Sequence, residues 1–247
     1  MAKRGGLGQR FYVEGFDISG DVGSIDTAMA RRGSEKVTGI DKSAEERLLL
    51  LSDGELSFSP WFNPSAGQEH LALRGLPRTD VGCMWCFSTT LGDAVAWLTG
   101  KQVNYDWQRG ASGSLKGKVQ ALANGSPLEW AVLLKAKGTH ASAGSDTGLN
   151  DSAQTTAGAV GYLQHFSAAS GTVTYIIEHS SDSTNGIDGS WTTLMTLAVV
   201  ATPWTPVSAR VVVAGTVKKY VRATTTGVFT TAVFAVAFRR KSALDDN

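Results

Sequence analysis

Cys83-Met84-Trp85-Cys86 is the stretch with the plainest chemical meaning: two thiols separated by two residues. A redox C-x-x-C sits at a helix N-terminus, where the dipole lowers one thiol's pKa. Here Val81 to Ser88 read as a strand, which turns residues i and i+3 to opposite faces. A zinc site needs about four ligands, and the chain has no other cysteine. Buried, inert thiols are the expectation. His70 stands on a helix face with no second histidine or carboxylate cluster to work with. Asp182, Asn185 and Asp188 lie in a Ser/Asp/Gly-rich stretch and offer oxygens of the kind calcium takes. Their spacing is not that of an EF-hand, and Asp-Gly and Asn-Gly are ordinary turn formers. They are kept as surface candidates, not as metal ligands. Trp191, Trp204, Tyr162 and Tyr220 suit either a sugar-stacking platform or a sandwich core, and core is the preferred reading. Lys116, Lys118 and Arg109 make a basic strand face. With a formal net charge of +1, pairing with a neighbouring subunit is more economical than nucleic-acid binding. There is no G-x-S-x-G, Walker A or H-E-x-x-H, and no nucleophile–base–acid set. No catalytic residue, metal ligand or cofactor is assigned, and the chain is read as non-enzymatic.

The elements that hold these residues are mostly strands. Phe11 to Ile18 reads as one strand and Gly23 to about Arg31 as a second. Glu55 to Phe62 alternates Leu56, Phe58 and Phe62 against Ser57, Ser59 and Trp61. Between the last two lies a charged excursion, too long for a plain hairpin loop. Ser43 and Glu46 have capping-box spacing, which suggests a short helical turn through Glu45 to Leu48. The apolar run Leu48 to Leu51 then needs cover, from the domain's own core or from an adjacent subunit. Asn63-Pro64 is a helix start, predicting a helix to Arg74 that stops at Gly75. Val103 to Gln108 and Ser114 to Ala123 alternate as strands, and Gly92 to Gly100 fits a strand or a short helix. Ser126-Pro127 with Glu129 predicts a further helix, from Pro127 to about Lys135.

Gly138 to Gly158 holds almost no large apolar residue and reads as a linker. Beyond it, six alternating runs from Gly161 to Arg240 indicate a β-sandwich. The expected organisation is an arm over 1–10, a β domain over 11–137, a linker over 138–158, a sandwich over 159–241 and a tail over 242–247. The fold class is mainly β, with short flanking helices. On that division, removal of everything after Gly158 should leave the first domain able to assemble.

Three blocks carry a resemblance: Tyr12-Val-Glu-Gly-Phe-Asp-Ile-Ser-Gly-Asp-Val-Gly-Ser-Ile-Asp, then Thr38-Gly-Ile-Asp-Lys-Ser-Ala-Glu-Glu-Arg with Leu51-Ser-Asp-Gly-Glu-Leu-Ser-Phe, then Phe62-Asn-Pro-Ser-Ala-Gly-Gln-Glu-His-Leu. Together with the stretch from Arg109 to Trp130 and the C-terminal third, they resemble major tail (tail tube) proteins of siphophages and prophages of the actinobacterial type. The resemblance covers most of the chain and is specific only as a whole pattern. It implies a virion structural protein made in the bacterial host cytoplasm, with an N-terminal domain of two packed antiparallel sheets. It implies six copies per ring, rings stacked into a tube, and DNA present only in passage during ejection. The implied partners are further copies of the chain and other tail proteins: tape measure, tail terminator and tail tip. The sandwich would sit on the outside. Ring-to-ring contacts are assigned to the arm and the excursion, at Arg4, Arg10, Glu35, Lys36, Asp41, Lys42, Glu45, Glu46, Arg47 and Leu48. Two other classes remain: a capsid decoration or tail-tip component, and a carbohydrate- or surface-binding sandwich.

Composition sets the outer bounds. A chain of 247 residues, 42% hydrophobic and 18% charged, has the length for one large or two ordinary domains. No apolar run reaches the roughly 18 residues of a membrane span, so no membrane insertion is expected. The start is basic and lacks a signal peptide's apolar core.

Overall fold

A computed structural model describes residues 5–151 and 154–242. Among them are sixteen strands and one short helix. Strands β1 (Arg10–Val13) and β2 (Phe16–Asp17) form a tight hairpin, and β3 (Val22–Lys36) and β4 (Arg47–Pro60) a long one. After helix α1 (Glu69–Leu73) come β5 (Val81–Cys86), β6 (Ala94–Arg109), β7 (Leu115–Ala123) and β8 (Glu129–His140). The short strands β9 (Gly144–Ser145) and β10 (Leu149–Asn150) precede β11 (Ala159–Ser167), β12 (Ser170–Ser180) and β13 (Thr192–Ala201). β14 (Val207–Val213), β15 (Tyr220–Thr230) and β16 (Ala232–Arg240) end the described fold. The protein is mainly β, and its strands pair antiparallel.

One eleven-stranded sheet runs the length of the molecule. Its main path is β14-β11-β16-β8-β6-β5-β1-β2, and β7, β4 and β3 branch from β6. The branch exists because β6 serves two layers. Its first half pairs with β5 and β8, and from Gly100 onward it pairs with β7. The register shift between Gln102 and Asn104 marks a bulge in the second half, the kind of irregularity that bends a strand. The two layers enclose Phe11, Val13, Leu56, Phe58, Cys83, Leu98 and Val119. A second, five-stranded sheet of β9, β10, β15, β12 and β13 packs on the C-terminal part of the large one. Between them lie Leu163, Tyr175, Ile177, Leu197, Phe234 and Phe238.

The third core sits on the inner face of the large sheet, with Tyr12, Met84, Trp97, Leu133, Tyr162 and Ala235. The sheet curls so that its ends meet over this core. Gly15 N–H donates to Gln164 Oε1 at 2.6 Å, and Gln164 Nε2 donates to the Gly82 carbonyl at 2.9 Å. Ser208 Oγ donates to Glu14 Oε1 at 2.6 Å, and Gly82 N–H donates to the same oxygen. Glu14 and Gly15 both have positive φ, 48° and 74°, the backbone a two-residue hairpin turn demands. A Cβ on Gly15 would lie 2.2 Å from the His165 carbonyl oxygen, so this seam admits no side chain there. Phe11 to Ile18 is therefore a hairpin, not the single strand the alternation suggests.

Four other expectations need correction. The segment predicted as helix from Pro127 to Lys135 is β8, central between β6 and β16. Both its faces are covered, Leu133 by the inner core and Leu134 by the C-terminal one. An apolar run with two buried faces has no period to read. The helix predicted from Pro64 to Arg74 is only α1. Asn63 Oδ1 accepts from Ser65 N–H at 3.1 Å in a local turn, and the Glu69 N–H is met by Asp21 Oδ2 at 3.2 Å. Capping thus comes from a distant residue. No helical turn forms at Glu45 to Leu48, since Arg47 onward is β4. Finally, Gly138–His140 belong to β8, and Gly144–Ser145 and Leu149–Asn150 pair with β15. The sandwich exists, but one of its sheets is the continuation of the N-terminal sheet. Cutting after Gly158 would remove β11, β14 and β16 and open the inner core.

His165 is buried in β11, with Nδ1 2.6 Å from the Tyr175 hydroxyl and Nε2 without a hydrogen-bond partner among the described residues. Burial lowers its pKa to about 4. The unfolded chain then binds the proton more readily, at about 6.5. This contribution to stability is complete above pH 6.5 and is lost as pH falls toward 4. Melting temperature is expected to fall between pH 7 and pH 5, and the fall should shrink in His165→Gln. An unchanged slope in that variant would refute the assignment.

Candidate assembly surface

The β3–β4 hairpin is anchored at one end and bare at the other. Near its base, Leu56 and Phe58 of β4 are buried in the N-terminal core. Beyond Arg32↔Ser52 the ribbon continues as Ser34↔Leu49, Glu35↔Leu48 and Lys36↔Arg47. Its end is closed by Val37 N–H to the Glu46 carbonyl at 3.0 Å and Glu46 N–H to Thr38 Oγ1 at 3.0 Å. These cross-strand bonds replace the local capping that Ser43 and Glu46 suggested. Leu48, Leu49, Leu50 and Leu51 are 54%, 61%, 46% and 89% exposed, and Val37 and Ile40 are exposed too. The register shifts between Arg32↔Ser52 and Ser34↔Leu49, so Leu50 and Leu51 stand opposite Gly33 alone, a bulge that breaks strand alternation within the leucine run. An isolated two-stranded ribbon is marginal in water, and contiguous exposed apolar surface marks interaction sites.

The charges on the hairpin pair mainly with one another. Glu45 accepts from Lys36 Nζ at 2.5 Å and Arg47 at 3.0 Å, Lys42 lies 3.8 Å from Asp41 and 3.9 Å from Glu46, and Arg31 meets Asp53 at 2.8 Å. All are solvent-exposed pairs, screened by water and of little weight for stability. They hold the ribbon's shape more than they attract a partner. The structure therefore gathers Glu35, Lys36, Asp41, Lys42, Glu45, Glu46, Arg47 and Leu48 on one protrusion. Arg10 is elsewhere, starting β1 beside the opposite end of β3 at Val22–Ile25. Arg4 lies outside the described residues. Leu49, Leu50 and Leu51, part of the run expected to need cover from the domain's own core or from an adjacent subunit, carry the exposed apolar surface together with Ile40, and the chain's own core does not cover them.

The remaining candidates resolve individually. Cys83 faces the N-terminal core and Cys86 the inner core. Burial raises both thiol pKa values, that of Cys86 to about 12. His70 Nδ1 lies 2.7 Å from the Tyr105 hydroxyl, beside the Phe62 ring. Asp182, Asn185 and Asp188 lie in the β12–β13 loop, where the carboxylates serve the loop itself. Asp188 accepts from Thr184 Oγ1 at 2.7 Å, Thr184 N–H at 2.8 Å and Ser183 Oγ at 3.0 Å. Asp182 Oδ1 accepts from Ser180 Oγ at 2.6 Å and Ser190 N–H at 2.8 Å. These hydrogen bonds, from Thr184 and Ser180 foremost, hold both carboxyls at about 2. Donors converge where a cation would need free oxygens. The Arg222 guanidinium covers the Trp191 ring at 4.1 Å, Tyr162 and Tyr220 are buried, and Trp204 packs on the C-terminal core. Lys116 lies over the Trp61 ring at 5.7 Å, and Lys118 pairs across the ladder with Asp106.

No family model matches the chain, and no curated protein matches it. Among solved structures, it is similar to the tail of an empty GTA particle with C6 symmetry, at 12% identity and TM-score 0.38, over 52% of this chain and 98% of that one. It is also similar to the SPP1 Dit protein, a hub adsorption component of Gram-positive-infecting phages, at 11% identity and TM-score 0.33, over 94% and 99% of the two chains. A third likeness is to the phage p2 baseplate in its activated conformation, at 6% identity and TM-score 0.36, over 95% and 98%. At these values each is a loose likeness of shape.

Proposed function

We propose that this chain is a non-enzymatic, self-assembling phage-tail subunit of the virion, and in finer form the major tail tube protein. The observation that carries this reading is the β3–β4 hairpin: a rooted, ion-paired ribbon with four consecutive exposed leucines and no core beneath its outer half. Such a ribbon is completed by another surface. The sequence blocks that resemble tail tube proteins include this hairpin, which makes another copy of the chain the partner of choice. In this reading copies join laterally into rings, six by analogy, and rings stack without closing, as heterologous contacts do. The hairpin tip makes the ring-to-ring contact, DNA passes through, and the tape measure, terminator and tail tip bind the ends. A sugar-binding role draws no support from Trp191, whose face Arg222 already covers.

Negative-stain electron microscopy of the purified full-length chain tests this. Stacked rings or tubes are expected, and deletion of Glu35 to Leu51 should leave at most single rings. Shells or short terminal rings would favour a decoration or tail-tip role. A chain that stays monomeric at high concentration, or full-length tubes from the deletion, would refute the stacking assignment.

A further inference from the structure

Strand β4 carries exposed apolar surface at both ends. At one end stand the leucines of the hairpin. At the other the chain passes through Trp61 and Phe62, which are 45% and 39% exposed. Trp61 bridges to Lys116, and Phe62 N–H donates to the Leu115 carbonyl at 3.4 Å. The Trp107 ring meets that of Phe62 edge-on at 5.2 Å, and Leu115 is itself exposed. Arg109 pairs with Leu115 where β6 and β7 run out. Trp61, Phe62, Trp107 and Leu115 thus form an apolar patch at the far end of β4, with Arg109 and Lys116 at its rim.

The two surfaces cannot meet within one copy. Arg47–Pro60 is continuous strand, and at about 3.3 Å per residue it holds Leu49 and the patch roughly 35 Å apart. Two hairpins meeting each other would make an isologous contact, which closes after two copies. A hairpin meeting the patch makes a heterologous contact, which repeats. The charges agree with the second arrangement. Glu35 is the hairpin carboxylate left without an ion pair among the described residues, and Arg109 and Lys116 make none either. Aromatic and arginine side chains are the usual anchors of such contacts. We propose that the Trp61, Phe62, Trp107 and Leu115 patch of one copy receives the Leu48–Leu51 run of the next, with Glu35 turned toward Arg109 and Lys116. This rests on the stacking reading above and names the surface on which the hairpin docks.

Cross-linking of the full-length chain tests it. The native thiols Cys83 and Cys86 are buried, so introduced cysteines report alone. Full-length Leu49→Cys and Leu115→Cys chains, mixed under assembly conditions with a short bis-maleimide, should give a linked dimer that neither variant gives by itself. A second experiment uses electron microscopy. Phe62→Ser/Leu115→Thr should lose tubes, as should Leu49→Thr/Leu51→Thr. Mixing the two should restore one junction, since one partner keeps its hairpin and the other its patch, and paired rings should appear without further growth. Linkage within Leu49→Cys alone, or full-length tubes from Phe62→Ser/Leu115→Thr, would overturn the patch assignment and leave hairpin-mediated stacking standing. Absence of any assembly by the unmodified chain would overturn both.

Discussion

Replacing Leu49 and Leu51 together by threonine is expected to abolish stacking by the purified chain while leaving its melting temperature within about 2 °C. The two side chains are 61% and 89% exposed, so folding gains little from them. Substitutions at such positions usually stay within about 0.5 kcal/mol, and a chain this long shifts by about 2–4 °C per kcal/mol. Threonine keeps strand propensity. Burial of a leucine against a partner contributes about 1.5–3 kcal/mol, so two give about 3 kcal/mol or more, over a hundredfold in affinity. Sedimentation velocity with calorimetry separates the outcomes. Unaltered assembly would show that the leucines face solvent in the assembled state as well. A large drop in melting temperature would show that they support the monomer.

The largest stability effect is expected at Glu129. Its side chain is 3% exposed and bridges Arg210 and Arg239, which keep 24% and 25% exposure. The contact joins β8 to the edge strand β14 and to β16. Breaking a fully buried pair costs about 3–5 kcal/mol. Partial exposure lets both arginines recover some hydration, so Glu129→Ala should cost about 2–3 kcal/mol, less than the fully buried case. That corresponds to a fall of about 4–12 °C. Asp53→Asn, which breaks the exposed pair with Arg31, should leave the melting temperature close to that of the parent chain, since solvent screens such a pair. Equal losses in the two variants would mean that burial does not set the worth of these pairs.

Gly138–Gly158 shows where local reading and tertiary structure part. Its small, polar residues have the composition of a linker, yet β8 runs into it and β9 and β10 lie within it. Short edge strands need little apolar content, because backbone bonds to a neighbouring strand hold them. β8 shows the opposite limit, since burial of both faces erases the alternation that distinguishes strand from helix. At α1, local capping chemistry was present at Asn63, but Asp21 took the capping role from elsewhere in the chain.

The residue order alone determined the strand-rich character and the six C-terminal runs. It also determined the opposite facing of Cys83 and Cys86. Each follows from local periodicity, which the pleat imposes whatever a strand pairs with. Only the tertiary structure decided that β11, β14 and β16 extend the N-terminal sheet, that Gly15 closes its seam, and that Leu48 to Leu51 stand in solvent on an extended ribbon. Sheet partners and exposure depend on which distant strand arrives alongside, and no local pattern encodes that choice.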